Sequence, residues 1–148
     1  MSSQGPQSEV DIETVFSQRG LPYTRQRRAI WEQFSTACRA ATIGEIAEAV
    51  RAEGIGQATV YRTVTLLHDL GLLVRVRDRG GEVCYTAVRI GHTHPLICGV
   101  CRRIVNFDGD GDLAYLEKQL ERETGFVVYG HHLEVYGVCA DCREQGCG

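Results

Sequence analysis

The segment QATVYRTVTLLHDLGL, residues 57–72, has the pattern of an amphipathic helix with a defined end. Its apolar residues recur at intervals of three and four, which places them on one face of a helix. Gly71 follows the last of them and is a residue that commonly ends a helix. The segment therefore predicts a helix over residues 57–70 whose inward side chains are Val60, Val64, Leu67 and Leu70.

Three further helices are predicted before this segment. The first covers residues 11–19 and is ended by Gly20 and Pro22. Thr24 can cap a helix over residues 25–37, and Thr42 can cap another over residues 43–52, because a threonine hydroxyl accepts a hydrogen bond from a backbone amide in the first turn.

Two extended runs follow, residues 72–77 and 82–88, and the turn Asp78-Arg79-Gly80-Gly81 joins them. Extended runs around a glycine-rich turn predict a β-hairpin. A leading helix, three helices and a hairpin give the element order of a winged helix-turn-helix. The same order would also suit a plain α+β domain with no role in DNA binding.

Composition changes to glycine, histidine and proline around residues 90–94, which suggests a hinge. Beyond it we expect strands over 96–98 and 104–107, a helix over 113–124, and strands over 126–129 and 133–138. The predicted fold is α+β, with a winged helix-turn-helix domain over residues 1–90 (1–9 disordered) and a small α/β domain over 91–148.

Charge is distributed unevenly along the 148 residues, whose net charge is −3. Residues 19–79 hold ten arginines against six acids, whereas residues 91–148 have a net charge of −4. A basic part joined to an acidic part fits a nucleic-acid-binding domain with a separate regulatory domain.

No apolar run is long enough to cross a bilayer and residues 1–7 do not form a signal peptide, so a cytoplasmic protein without membrane contact is expected.

Seven cysteines, an odd number, favour metal binding over a closed disulfide framework. Cys98, Cys101, Cys139 and Cys142 form two C-x2-C pairs, and two such pairs complete a tetrahedral zinc shell. Redox-active dithiols are the alternative.

A second cluster, His92-Thr93-His94, has two imidazoles at alternate positions, which point the same way on an extended strand and could share an ion. His131 and His132 open the last predicted strand.

Several of these segments together resemble the ferric uptake regulator (Fur) superfamily, over roughly residues 11–142. The matching segments are residues 57–64 with the 70–72 helix end, Thr24-Arg25-Gln26-Arg27, residues 92–101 and Tyr136-Gly137-Val138-Cys139. The resemblance implies a homodimer that represses metal-uptake genes by binding palindromic, double-stranded operator DNA when a regulatory metal is bound. It also implies that residues 91–148 form the dimerisation domain.

The resemblance assigns roles in DNA binding to eight residues. Tyr61 and Arg62 would reach base edges, because an arginine fork suits guanine and a tyrosine ring suits a thymine methyl group. Thr59, Arg25 and Arg27 would contact phosphates. Arg77 on the hairpin would follow the DNA backbone or the minor groove, together with Arg75 and Arg79, unless the hairpin is simply solvated.

The sequence departs from the family where the resemblance implies regulatory metal ligands. Ala40 and Ala41 replace a histidine before the third helix, and Thr86 and Asn106 replace carboxylates. Pro95 lies between the H-x-H and Cys98.

Two arrangements of the regulatory site remain. In the first, which we favour, His92 and His94 keep the regulatory role with Cys84 and Cys38 as added ligands. In the second, they belong to another family site with His131 and a carboxylate such as Asp112. Cys38 and Cys84 could instead be buried as small apolar residues.

Thiolate and imidazole ligands suit Zn(II), whereas iron and manganese sites take more oxygen ligands. We therefore expect a zinc-responsive repressor with one structural and at least one regulatory zinc per subunit. Iron, peroxide or haem are alternative inputs. A zinc enzyme, or any protein with a small-molecule substrate, is disfavoured because H-E-x-x-H, G-x-S-x-G and phosphate-loop motifs do not occur in the sequence.

Overall fold

A computed structural model describes residues 10–89, 93–108 and 113–146. The described part contains an N-terminal helical unit with a hairpin, followed by a small sheet with two helices. The elements are α1 (Ile12–Gln18), α2 (Arg25–Ser35), α3 (Ile43–Ala49), a 3-10 turn (Arg51–Glu53), α4 (Gln57–Asp69), β1 (Leu73–Arg77), β2 (Val83–Ala87), β3 (Thr93–Cys98), β4 (Ile104–Asp108), α5 (Ala114–Thr124), β5 (Val135–Gly137) and α6 (Ala140–Glu144).

Side-chain caps fix where the N-terminal helices begin. The Thr24 hydroxyl accepts the backbone N–H of Arg27 at the start of α2. At the start of α3, Thr42 and Glu45 form a reciprocal capping box, which satisfies two amides that a helix start leaves without partners. Gly71 has a φ of 75°, a conformation that favours glycine, so α4 ends where the sequence predicts.

The N-terminal unit packs around one apolar core from α1 to β1. Inward residues of α4 meet α2 and α3, and the hairpin β1–β2 follows as the wing. This arrangement confirms the predicted winged helix. Core side chains that are almost completely buried include Phe16, Ile30, Phe34, Val50, Val60, Val64 and Leu67.

The C-terminal half contains a three-stranded sheet in the order β4-β3-β5. β3 pairs with β4 antiparallel and with β5 parallel, with Cys98 opposite Gly137. The two halves are joined by a small second core of Ala40, Val76, Cys84 and Ile97. The predicted domain boundary at residue 90 lies outside the described residues, as does the predicted disordered tail over residues 1–9.

Residues 126–129, predicted as a strand, are irregular in the structure. Val127 is 84% and Tyr129 102% exposed, and no strand of the described chain pairs with this segment. The strand prediction was therefore wrong for the single chain, because a short apolar run forms a strand only against a hydrogen-bonding neighbour.

Candidate metal centres and nucleic-acid interface

The four cysteines of the two C-x2-C pairs meet at one end of the C-terminal sheet. Cys98 is the last residue of β3, and Cys139 follows β5 and precedes α6. Because β3 and β5 run parallel, their carboxyl ends lie side by side and both pairs are delivered to the same place. The sheet thus brings together cysteines that are about forty residues apart in sequence.

The sulfur positions fit a tetrahedral ion. Cys98 and Cys142 lie 3.9 Å apart, Cys101 and Cys139 lie 3.8 Å apart, and all four sulfurs lie within 4.8 Å of one another. Zn–S bonds of about 2.3 Å would place tetrahedral ligands about 3.8 Å apart. The donor set and its spacing can therefore hold one structural metal ion.

Backbone amides lower the pKa of one thiol in this site, which favours the thiolate that binds a cation. Burial would raise the pKa of the Cys98 thiol, but the amides of Cys101, Cys139 and Val100 face its sulfur and lower the pKa to about 6. The Cys142 thiol hydrogen bonds to Cys139, and its pKa is raised to about 12. Thiolates this close repel one another, so full deprotonation requires the positive charge of a metal.

A second cluster joins β3, α5 and the segment before β5. The Nε2 atoms of His94 and His131 lie 3.4 Å apart, and His131 Nδ1 lies 2.6 Å from a carboxylate oxygen of Glu117. Two nitrogens that bind one tetrahedral zinc at about 2.1 Å would be about 3.4 Å apart. Glu117 accepts the Nδ1–H of His131 and so directs Nε2 toward His94, as carboxylates commonly do behind metal-bound histidines.

Glu117 was not anticipated from the sequence, because a single glutamate in a helix has no spacing that links it to His131. His92 and Asp112, the other residues considered for this cluster, lie outside the described residues.

The structure does not bring Cys84 and Cys38 to the histidines. Among the described residues, the four cysteines above are the group whose ligand atoms converge within 4.8 Å. Cys84 is fully buried in the small core between the halves, and Cys38 is exposed. Cys84 on strand β2 faces this core and packs there as a small apolar side chain does.

Cys84 instead contacts an ion pair that connects the two halves. Arg102, which has a φ of 65°, directs two nitrogens to the Glu45 carboxylate at 2.6 and 2.5 Å and lies 3.6 Å from the Cys84 sulfur. Burial raises the pKa of the Cys84 thiol. Arg102 directly follows Cys101, so the turn that carries the cysteine pair also holds the first turn of α3.

Helix α4 presents a polar face to solvent opposite its core residues. Tyr61 is 59% exposed, and Arg62 is exposed and reaches only the hydroxyl of Thr59, at 3.4 Å. These three side chains can contact a partner without unfolding any part of the chain. An exposed helix of this kind suits the major groove of DNA.

The other predicted DNA-contacting arginines differ in their surroundings. Arg25 is exposed on the first turn of α2. Arg27 donates to the Pro22 carbonyl at 2.6 Å and lies over the Phe16 ring, so it stabilises the helical unit itself. Arg77 is exposed on the wing and bonds the Gly81 carbonyl at 2.8 Å.

These features define a winged-helix protein with a four-cysteine metal centre in its second half. The described helices include none that is both long and apolar enough to cross a membrane. The chain matches the Ferric uptake regulator family over residues 18–136, and it belongs to that family.

Known relatives share most of the chain's length. The Peroxide operon regulator of Bacillus subtilis (strain 168) is 31% identical over 136 residues, which cover 90% of this chain and 92% of the relative. A solved zinc-bound manganese uptake regulator has a TM-score of 0.60 and 31% identity, and the match covers 86% of this chain and 97% of that one. A zinc uptake regulator complexed with zinc and DNA has a TM-score of 0.63 at 22% identity and 92% and 93% coverage, which shows a shared fold.

Family membership establishes the coarse function. The chain is a metal-responsive transcription regulator of the repressor class and not an enzyme. The predicted family and fold class are confirmed.

Proposed function

We propose that this regulator is a zinc-responsive repressor of metal-uptake genes, which binds palindromic operator DNA as a cytoplasmic homodimer. The observation that carries the choice of zinc is the meeting of the His94 and His131 imidazoles, whose Nε2 atoms lie 3.4 Å apart. Iron and manganese sites take more oxygen ligands than this cluster of imidazoles with one carboxylate supplies, so its donor set favours zinc. The four-cysteine centre is the structural zinc site of this proposal.

The regulatory site of the proposal consists of His94, His131 and Glu117, with His92 as a further ligand from the sequence. Glu117 either orients His131, as its hydrogen bond indicates, or turns to bind the ion itself. Cys84 has no part in it, because its sulfur is buried between the two halves.

DNA binding is assigned to α4 and the wing. Tyr61 and Arg62 read base edges, while Thr59, Arg25 and Arg77 contact phosphates. The exposed polar face of α4 supports this assignment, as does the fold shared with a zinc uptake regulator that was solved in complex with DNA.

A second copy of the chain would cover the apolar surface of the C-terminal half. Tyr115, Leu116 and Leu120 on α5 are 72%, 47% and 42% exposed, and Phe126 is 74% exposed. Apolar surface on this scale commonly marks an interface between proteins. Residues 126–129 also pair with no strand of the described chain, so two copies could pair them as strands.

The proposed regulatory ligands lie on β3, α5 and the segment before β5, all within the C-terminal half. Zinc would therefore fix α5 and this segment against β3, beside the surface assigned to the dimer. The geometry of that dimer sets the distance between two winged helices, and operator half-sites demand a fixed distance. Metal would then increase DNA affinity, and DNA would increase metal affinity by the same factor.

The test is operator binding titrated separately against free Zn(II), Fe(II) and Mn(II). We expect zinc to act at the lowest free concentration, and His94→Ala and His131→Ala to abolish zinc-dependent binding while the four-cysteine zinc remains. His132→Ala is the matched control, since its side chain is 67% exposed and bonds Glu134 instead. Wild-type zinc dependence in His94→Ala would refute the regulatory site.

Iron input is the second candidate, because a site of imidazoles with one carboxylate also suits Fe(II). The match to the Ferric uptake regulator family favours the same candidate. A response to Fe(II) at lower free concentration than Zn(II), or loss of operator binding with peroxide only in the iron form, would establish it.

A further inference from the structure

A cavity of about 860 Å³ lies between the winged helix and the C-terminal half. Its volume falls in the range of roughly 300–1,000 Å³ that small-molecule sites occupy. One wall comes from the end of α4 and from the wing, and the other from β3, β4, α5 and the segment before β5. His94, His131 and Glu117, the proposed metal ligands, line the same cavity, so a second molecule in it would bind beside the metal and contact both halves of the chain.

The lining of this cavity carries unpaired positive charge. Arg75 and Arg89 line the wall formed by the wing, and neither makes an ion pair within the described part of the chain. The carboxylate that lines the cavity is that of Glu117, which is already hydrogen bonded to His131. An anion that entered would meet two guanidinium groups and no free carboxylate in the described lining.

Neutral hydrogen-bonding groups lie in the same lining. Thr86 and Asn106 stand where the family resemblance predicts carboxylates, and both line the cavity with Thr93. The Thr93 hydroxyl oxygen is buried and has no hydrogen-bond partner in the described structure. A buried polar atom without a partner is costly, so a ligand that bonded Thr93 would recover that free energy.

We propose that this cavity binds a small organic anion with a carboxylate or phosphate group, as an effector distinct from the metal. Arg75 and Arg89 supply charged donors for the oxygens of such a group, and Thr86, Thr93 and Asn106 line the same cavity with neutral polar groups. Because the anion touches both halves, it binds one orientation of the winged helix better than others. Such differential binding changes DNA affinity.

The proposal is tested by calorimetric titration of the zinc-loaded full chain at constant ionic strength. The probes are succinate, inorganic phosphate and the neutral analogue succinamide. We expect saturable binding of at least one anion and no binding of succinamide. The stronger anion distinguishes a carboxylate ligand from a phosphate ligand.

Variants locate the binding in the cavity. Arg75→Ala and Arg89→Ala should each weaken anion binding about tenfold or more, as expected for a lost charged hydrogen bond. Arg51→Ala removes the same charge from an exposed surface ion pair and should leave it unchanged. Arg75→Lys and Thr93→Val are conservative variants that should also weaken binding, and they keep the test available if an alanine variant misfolds.

Failure of both anions to bind would overturn the proposal, as would equal weakening by Arg51→Ala. The titration contains no DNA, so it does not depend on operator binding. Because His94, His131 and Glu117 line the same cavity, His94→Ala protein is titrated as well. It should still bind the anion, whereas loss of binding in His94→Ala would show that the anion binds the zinc and would overturn the proposal.

Discussion

At the scale of the residue, Arg62, which we propose reads base edges, has few contacts within the chain. Its guanidinium reaches only the Thr59 hydroxyl at 3.4 Å. We expect Arg62→Ala to weaken operator binding by ~1–3 kcal/mol and to relax sequence preference, as the loss of a bidentate base contact does. Gel shifts on operator and random duplex measure both effects.

Arg25→Ala is the control for this prediction. A lost phosphate contact should weaken operator and random duplex about equally and reduce the salt dependence of binding. If Arg62→Ala behaved in the same way, Arg62 would be a phosphate contact and its base-reading role would be refuted.

The Glu45–Arg102 ion pair gives a prediction about pH. Hydrogen bonds from Arg102 hold the pKa of Glu45 below its ordinary value of 4.5. A lowered pKa in the folded state means that the pair stabilises the fold above about pH 4.5 and is lost as pH falls through the folded-state pKa.

We expect Glu45→Gln to lower the free energy of unfolding at pH 7 by only ~1 kcal/mol, because half of the Glu45 side chain is exposed. The difference from the wild type should shrink as the pH falls below 4.5. Thermal unfolding at several pH values measures it. Glu48→Gln, in an exposed pair on the same helix, should have little effect at any pH; an equal loss there would contradict the prediction.

Residues of the metal centres were predictable to different degrees. The four cysteines could be grouped from their spacing, because two C-x2-C pairs together supply the four thiolates of a tetrahedral metal shell. Glu117, Glu45 and Arg102 could not be matched to their partners from the sequence, because each meets its partner through tertiary packing. Cys84 was assigned to the metal because it lies at the end of the hairpin, where the family resemblance implies a ligand that the sequence lacks, whereas its direction into the core depends on the second half of the chain.

At the scale of the element, capping residues and periodicity predicted the N-terminal helices to within a few residues. Short C-terminal elements were harder. Helix α6 has five residues and too little periodicity to be recognised, and the parallel pairing of β3 with β5 depends on packing between distant segments. β3 also begins at Thr93, earlier than expected, because its pairing with β4 continues past Pro95.

The cysteine pair after β3 should be indispensable to the C-terminal elements. A structural zinc site contributes ~10 kcal/mol or more, so we expect Cys101→Ser to lose the zinc and to unfold β3, β5 and α6. Metal analysis and thermal unfolding measure this. Cys38→Ser changes an exposed cysteine and should alter stability by less than ~0.5 kcal/mol. Full zinc content and a sharp transition in Cys101→Ser would contradict the assignment.

At the scale of the whole molecule, the proposed dimer can be separated from the proposed DNA contacts. Leu120→Glu places a charge on the apolar face of α5, and we expect it to weaken dimerisation at least tenfold, or ~1.4 kcal/mol. Analytical ultracentrifugation measures the change. Tyr61→Ala alters another exposed apolar residue and should leave the dimer intact. An unchanged dimer in Leu120→Glu would place the interface elsewhere.

The parallel pairing of β3 with β5 also bears on biosynthesis. The main apolar core of the winged helix is built from residues 10–87, so this core can form on the ribosome before the C-terminal half emerges. The tetrahedral centre, by contrast, joins Cys98 to Cys142 and cannot close before Cys142 emerges. A newly made chain can therefore form its N-terminal core before it can bind a metal ion at the four cysteines, and metal supply bears on the later step of its maturation.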